Sequence, residues 1–216
     1  MKRINSKFRN NKTETANGYP YVDLGLPSGL KWAKCNVGAE KETDYGYYFM
    51  WGDVEDHGNS AYRCTFYKHC NNTSYALTKY CNDSSCGTVD NKFTLEPEDD
   101  AARANMGGDW RMPTRSDFQE LLENTENEWV EDFNGTGVNG RKFTSKTDTS
   151  KYVFIPAAGF RTNDSVNYVG SDGDVWGSSL DISIPDNAWG LTLNSSVCCM
   201  GYSYRCYGRS VRGVMK

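Results

Sequence analysis

Several features that catalytic, membrane or nucleic-acid readings depend on are scarce or missing here. The 216 residues contain only two histidines, His57 and His69, and no serine-nucleophile motif accompanies either, so no catalytic triad can be assembled from sequence. His69 lies beside Cys70, but adjacency along the chain does not set an imidazole against a thiol. Charge of one sign is not in excess: 24 basic against 28 acidic side chains give a net charge of −4, with no arginine or lysine stripe to track phosphates, which argues against a nucleic-acid partner. No apolar stretch approaches the roughly 20 residues of a membrane-spanning helix. The start, "MKRINSKFRNNKTETANG", is basic and polar and lacks the apolar segment of a signal peptide. The chain as written is therefore expected in the cytoplasm or in a phage virion, or at the cell surface if a signal has been removed.

Eight cysteines are present, yet none forms a CxxC pair. A chain of this size does not need a disulfide framework, so reduced thiols are the default expectation. Four thiolates between Cys64 and Cys86 could hold zinc only if their loops folded back on one another. Cys198 and Cys199 are adjacent and on a strand would face opposite sides. No metal, cofactor or catalytic residue is assigned, and an enzyme is not expected.

What the chain does have is glycine and aromatics, tyrosine most of all: 21 Gly and 14 Tyr, a composition suited to a loop-rich globular domain rather than a helical bundle. Residues 1–18 read as a polar tail or connector, and 19–216 as one domain. "GYPYVDLGLPSGLKWAKCNVG" predicts two short strands around the "LPSG" turn, and "YGYYFMW" at 45–51 continues a strand-like pattern. From Cys64 to Phe93 turn formers dominate, which predicts a long loop with at most a short hairpin.

Two helices follow. "EPEDDAARANM" carries Pro97 in its first turn, acids at 98–100 that suit the positive helix end, and a stop at Gly107 and Gly108. "PTRSDFQELLEN" has Thr114 as N-cap, Asp117 three residues on, and Phe118, Leu121 and Leu122 on one face. "KYVFIPAAGFR", "NAWGLTLNSS" and "SVRGVM" read as strands. Few helices beside many short strands give an α+β class, with two helices packed on short, mostly antiparallel strands. "GTGVNG" at 135–140 matches GxGxxG but follows no apolar strand and opens no helix, so a glycine-rich hairpin turn is expected in place of a nucleotide site. Asn-x-Ser/Thr triplets such as "NDS" at 82–84 mark polar loops. Trp110, Phe118, Leu121, Leu122, Phe154, Ile155, Trp189 and Leu193 are expected in the packed frame.

The segments "YVDLGLPSGLKWAKCNVGA", "YGYYFMWGD", "LTKYCNDSSCGTVDNKFTLEPEDDAA", "GGDWRMPT", "FQELL", "FIPAAGFR" and "RSVRGV" resemble, in order, the Fibrobacter succinogenes major paralogous domain, over about residues 19–214. That resemblance implies a C-type-lectin-like fold akin to the formylglycine-generating enzymes, and a binding or surface module. A second likeness is to the variable proteins of diversity-generating retroelements, in which template adenines are randomised and written into the 3′ end of the gene. Asparagine codons so treated yield Tyr, Ser, Cys, Gly or Asp but never Met, Trp, Lys, Glu or Gln.

On that likeness the variable region is expected at about 174–207. Its ligand-binding positions are Val175, Gly177, Asp181, Ser183, Gly190, Thr192, Cys198, Cys199, Gly201, Tyr202, Ser203, Tyr204, Cys206 and Tyr207. Tyrosine offers wide amphipathic contact, and Ser and Gly add adaptable polar contacts. The partner implied is a protein or glycan receptor on a bacterial cell surface, met by a phage tail-associated protein. Alternatives are a non-diversified adhesin or glycan-binding module, and an oxidase of the formylglycine-generating type, whose cysteine pair "CCMGYSYRCYGR" resembles. Against the oxidase, Cys199 and Cys206 are further apart than in that motif. A calcium-dependent sugar site at "IPDNAWG" has only Asp186 and Asn187 after Pro185, ordinary turn residues.

Overall fold

The computed structural model describes residues 13–58, 62–73 and 76–216. Residues 1–12 of the expected tail lie outside the described residues. The expected domain start at 19 is too late: strand β1 (Thr15–Ala16) pairs antiparallel with β2 (Tyr19–Asp23), setting Ala16 opposite Tyr19, and the Asn17 side-chain amide donates to the Met106 carbonyl. These backbone and side-chain bonds make residues 13–18 part of the domain.

The "LPSG" turn joins β2 to β3 (Lys31–Asn36) as expected, with Val22 opposite Trp32. Gly29, at φ +73°, closes the turn by donating to the Leu26 carbonyl at 2.9 Å. The final strand β12 (Arg212–Met215) pairs on the other side of β3, with Val214 opposite Trp32, so the two ends of the domain meet in one four-stranded sheet ordered β1-β2-β3-β12. Residues 45–51 do not form the expected strand. They run extended beside residues 205–209, bonding through Phe49 N to Arg209 O and Trp51 N to Arg205 O. Left-handed Gly46 and Gly52, at φ +72° and +88°, break the extended run within and just after the segment, and only an isolated bridge, Phe49 to Arg209, forms.

Helix α1 (Ala101–Met106) is capped by Asp100, whose carboxylate accepts from Arg103 N and from Met112 N; Gly107 ends it at φ +67°. Pro97 starts a short 3-10 turn just before it rather than the helix itself. Helix α2 (Arg115–Asn124) opens with the expected Thr114–Asp117 reciprocal cap. Its Phe118 and Leu121 are buried and Leu122 partly so, against a cluster that includes Trp32, Phe143, Ile155, Val175, Leu191 and Leu193. Burying large side chains of this kind contributes about 1.5–3 kcal/mol each.

Three further sheets complete the chain. Strands β4 (Thr125–Val130), β5 (Gly140–Ser145) and β6 (Tyr152–Pro156) form an antiparallel meander, and "GTGVNG" lies in the β4–β5 connection, with left-handed Gly135 and Gly137. Strands β7 (Phe160–Thr162) and β8 (Ser165–Asn167) make a small hairpin. Strands β9 (Asp172–Leu180), β10 (Asn187–Asn194) and β11 (Cys198–Tyr204) form a sheet ordered β11-β10-β9, with β11 at its edge. The class is mixed α and β, mostly antiparallel, with no closed barrel among the described residues. No helix among them is long and apolar enough to cross a membrane.

Candidate recognition surface

An edge strand has a neighbour on one side only, so its side chains divide between a face on the frame and a face in solvent. On β11 the even positions lie on the α2 side, because Met200 opposes Leu191 and Cys198 opposes Leu193, both of which belong to the α2 cluster. Further along the same face, beyond this cluster, come Tyr202 and Tyr204, 54% and 48% exposed.

Each of these tyrosines belongs to a group of contacting rings. Tyr202 packs edge-to-face on Trp189, centroids 5.7 Å apart, and the Arg115 guanidinium lies 4.0 Å from the Trp189 ring centre. The turn after β11, closed by Tyr207 N donating to Tyr204 O at 3.0 Å, sets Tyr207 edge-on to Tyr204 at 5.5 Å. Tyr207 stacks on Phe160 at 6.1 Å and Phe160 on Tyr168 at 5.7 Å. Tyr168 is 64% exposed and sits at φ +60°, a left-handed conformation disfavoured for a bulky side chain. It is held there by a turn in which its carbonyl accepts from Ser171 N and Asp172 N. Trp189, expected in the buried frame, is a half-buried member of this ridge instead, because its ring is covered by exposed Tyr202 and by the exposed Arg115 at the start of α2.

The odd face of β11 presents Cys199 exposed and Gly201 and Ser203 half-buried. Below it, Thr192 donates to Asp174 at 2.9 Å, and buried Asp174 pairs with Arg209 at 3.1 Å. Ser183 is exposed on a turn in which its N–H and hydroxyl both donate to Asp181.

Five of the expected ligand-binding positions are buried and cannot face a partner. Val175 packs under α2, Asp181 is turned inward to cap that turn, and Cys206 lies under the ridge in a cluster with Tyr48, Met50 and Tyr62. Gly177 is enclosed by Pro113 O and Trp189 O, about 3 Å from where a Cβ would stand. Gly190 is more restricted still, since a Cβ there would collide with the Val175 carbonyl and crowd the Arg209 guanidinium. Cys198 is mostly covered, against the α2 cluster.

The histidine and thiol chemistry is equally constrained. Burial brings His69 down to about 4; its ring packs edge-on to Tyr67 and Tyr80, whereas Cys70 donates to the Cys64 carbonyl, so the two do not act as base and nucleophile. Burial pushes Cys198 up to about 11. Cys206 meets neither Cys198 nor Cys199; its sulfur lies 2.8 Å from that of Cys64. Among the described residues Glu96, Glu98 and Asp99 bring three potential ligand atoms together, but the Lys79 ammonium already occupies their centre, 2.6 Å from Glu96 and from Asp99. Asp186 and Asn187 stand at the start of β10, where the Asp186 carbonyl accepts from Arg205 N.

An open depression of about 640 Å³ runs over β4 and β5, lined by Glu126, Asn127, Glu128, Lys142, Thr144, Ser145, Lys146 and Thr149, and shares no residue with the ridge. Sequence reasoning did not single out Phe160, Tyr168 or Trp189 as surface residues, because nothing in their local pattern separates an exposed aromatic from a core one. Comparison of the chain with protein-family models, with curated proteins and with solved structures finds no match in any of the three.

Proposed function

We propose that this chain is a ligand-binding protein of C-type-lectin-like type that meets a protein or glycan receptor through the aromatic ridge from Trp189 to Tyr168. The observation that carries the reading is the ridge itself: six rings, exposed or half-buried, in a contacting pair Trp189–Tyr202 and a contacting group of Tyr204, Tyr207, Phe160 and Tyr168, the two meeting at successive same-face positions of the edge strand β11. Among the described residues no hydrogen bond engages the hydroxyls of Tyr168, Tyr202, Tyr204 or Tyr207, which leaves them for a partner. Rigid aromatic anchors of this kind dominate binding free energy where they cluster. A bulky residue held at left-handed φ within the cluster supports the same reading, because such conformations concentrate at functional sites.

Retroelement diversification fits only the outward part of the expected region: Cys199, Gly201, Tyr202, Ser203, Tyr204 and Tyr207, with Ser183 and Thr192 at the margin. The test is a binding screen of the full chain against bacterial cells, surface glycans and surface proteins. It is run beside a Tyr202→Ala, Tyr204→Ala, Tyr207→Ala triple variant. Binding lost in the variant with melting unchanged supports the reading; binding retained by the variant refutes it. A neighbouring reverse-transcriptase gene with a near-repeat differing only at adenines would establish the diversification, and its absence would remove that part.

A further inference from the structure

Three cysteines converge under the ridge from two distant parts of the chain. Cys64 and Cys206 are 142 positions apart, and their sulfurs are in contact at 2.8 Å. Cys70 sits on the same side, its thiol donating to the Cys64 carbonyl at 2.6 Å. Cys206 is buried, whereas Cys64 keeps partial access to solvent. The pair also occupies a mechanically important place. Cys64 opens a short 3-10 turn in the long loop, and Cys206 lies between buried Arg205 and Tyr207 of the ridge.

We propose that Cys64 and Cys206 are a thiol pair built to close a disulfide that staples the long loop to the turn carrying Tyr204 and Tyr207. The oxidant is a small-molecule disulfide such as oxidised glutathione. The Cys64 thiolate attacks one of its sulfurs, forming a mixed disulfide and releasing one glutathione thiolate. The Cys206 sulfur then attacks Cys64 Sγ, forming the protein disulfide and expelling the second glutathione. The two thiol protons leave with the two glutathiones, and the two electrons reduce the added disulfide.

The division of roles follows from the pairing. The hydrogen bond from Cys206 brings the Cys64 thiol down to about 7, which favours it as the first, accessible nucleophile. That same bond, with burial added, pushes Cys206 up, so it reacts second and from within. A bond between Cys64 and Cys70 would instead remain inside the loop and leave the ridge untied. The crosslink stands on the thiol geometry alone and is independent of what the ridge binds.

The test is oxidation of the reduced full chain in glutathione buffer at pH 7.5, followed by intact mass, peptide mapping and melting. The expected result is loss of about two mass units, a mapped Cys64–Cys206 peptide, and a melting temperature raised by about 5 °C or more. A Cys70→Ser variant should behave as the wild type, while Cys64→Ser should form no crosslink to Cys206. Because Cys206→Ser could disturb packing, Cys64→Ser and Cys70→Ser carry the comparison. A persistent glutathione adduct on Cys64, a mapped Cys64–Cys70 bond, or thiols at 64 and 206 that both remain free to alkylation would overturn the proposal.

Discussion

Arg205 offers the sharpest test of how the frame holds the ridge. Its side chain is 1% exposed, and among the described residues no carboxylate lies within ion-pair distance of it. The charge is instead balanced by hydrogen bonds: Nε donates to the Tyr67 hydroxyl at 2.9 Å, Nη1 to the Tyr80 and Pro185 carbonyls at 3.0 Å, and Nη2 to the Lys79 carbonyl at 2.9 Å. The guanidinium also lies 4.9 Å from the Trp51 ring centre. Replacing Arg205 by Met keeps most of the apolar stem but leaves three carbonyls and a hydroxyl without their donor. Each buried unsatisfied group costs about 1–3 kcal/mol, and removing the cation returns part of that by abolishing its own desolvation. The net expectation is a loss of about 3–5 kcal/mol, a large share of the roughly 5–15 kcal/mol that holds a domain folded. Urea unfolding at pH 7 measures it, with Arg115→Met as the control, since Arg115 is exposed on Trp189 and should cost about 1 kcal/mol or less. An Arg205→Met variant within about 1 kcal/mol of wild type would show that the carbonyl cage is not a structural element.

Gly190→Ala should destabilise by about 2 kcal/mol or more in the same assay, because the new Cβ meets the Val175 carbonyl on a neighbouring strand. Phe143→Ala, at a fully buried position, should cost about 3–5 kcal/mol, whereas Tyr202→Ala and Tyr204→Ala should each cost about 0.5 kcal/mol or less yet weaken any ridge ligand by about 1 kcal/mol or more in titration calorimetry. His69 titrates near 4 in the fold against 6.5 in the open chain, because burial disfavours its charged form. Its contribution is therefore fully present above about pH 6.5 and is lost as pH falls toward 4, about 3 kcal/mol in all, and a His69→Gln variant should flatten stability over that window.

How much of this was legible depended on whether the signal was local. The Thr114–Asp117 cap, the "LPSG" turn and the glycine-rich β4–β5 connection rest on residues a few positions apart, and all three formed as their chemistry dictates. The strand-like aromatics of 45–51 misled because their period was right but their partner was the irregular 205–209 segment. β1 was missed because Thr15 and Ala16 carry no apolar alternation and pair only through backbone. The buried arginines were the least legible. Arg205, Arg209 and Arg212 look like surface charges in "YRCYGRSVRGV", yet each is enclosed, Arg212 by Asn36 Oδ1 and the Ala33 and Phe154 carbonyls at 2.9–3.1 Å. Partners from 20 to 179 positions away leave no trace near the residue that needs them.

The same distinction bears on which side chains of the C-terminal region can vary. A position tolerates many residues only where its side chain has no obligatory neighbour, and the β9-β10-β11 sheet grades that freedom from its inner strand to its edge. On β9, Val175 and Gly177 are closed over by α2 and its capping segment. On β10, Gly190 has no room for a side chain, and Thr192 is tied to Asp174. On β11, Cys199, Tyr202 and Tyr204 are exposed on a strand with one neighbour, and among the described residues no hydrogen bond engages their side chains. Substitution there removes little that the frame relies on and changes everything a partner would meet. On the proposed reading, freedom to vary and fitness to bind coincide on the edge strand and at Tyr207 in the turn after it, and both lapse at Arg205 and Cys206 between them, which are buried.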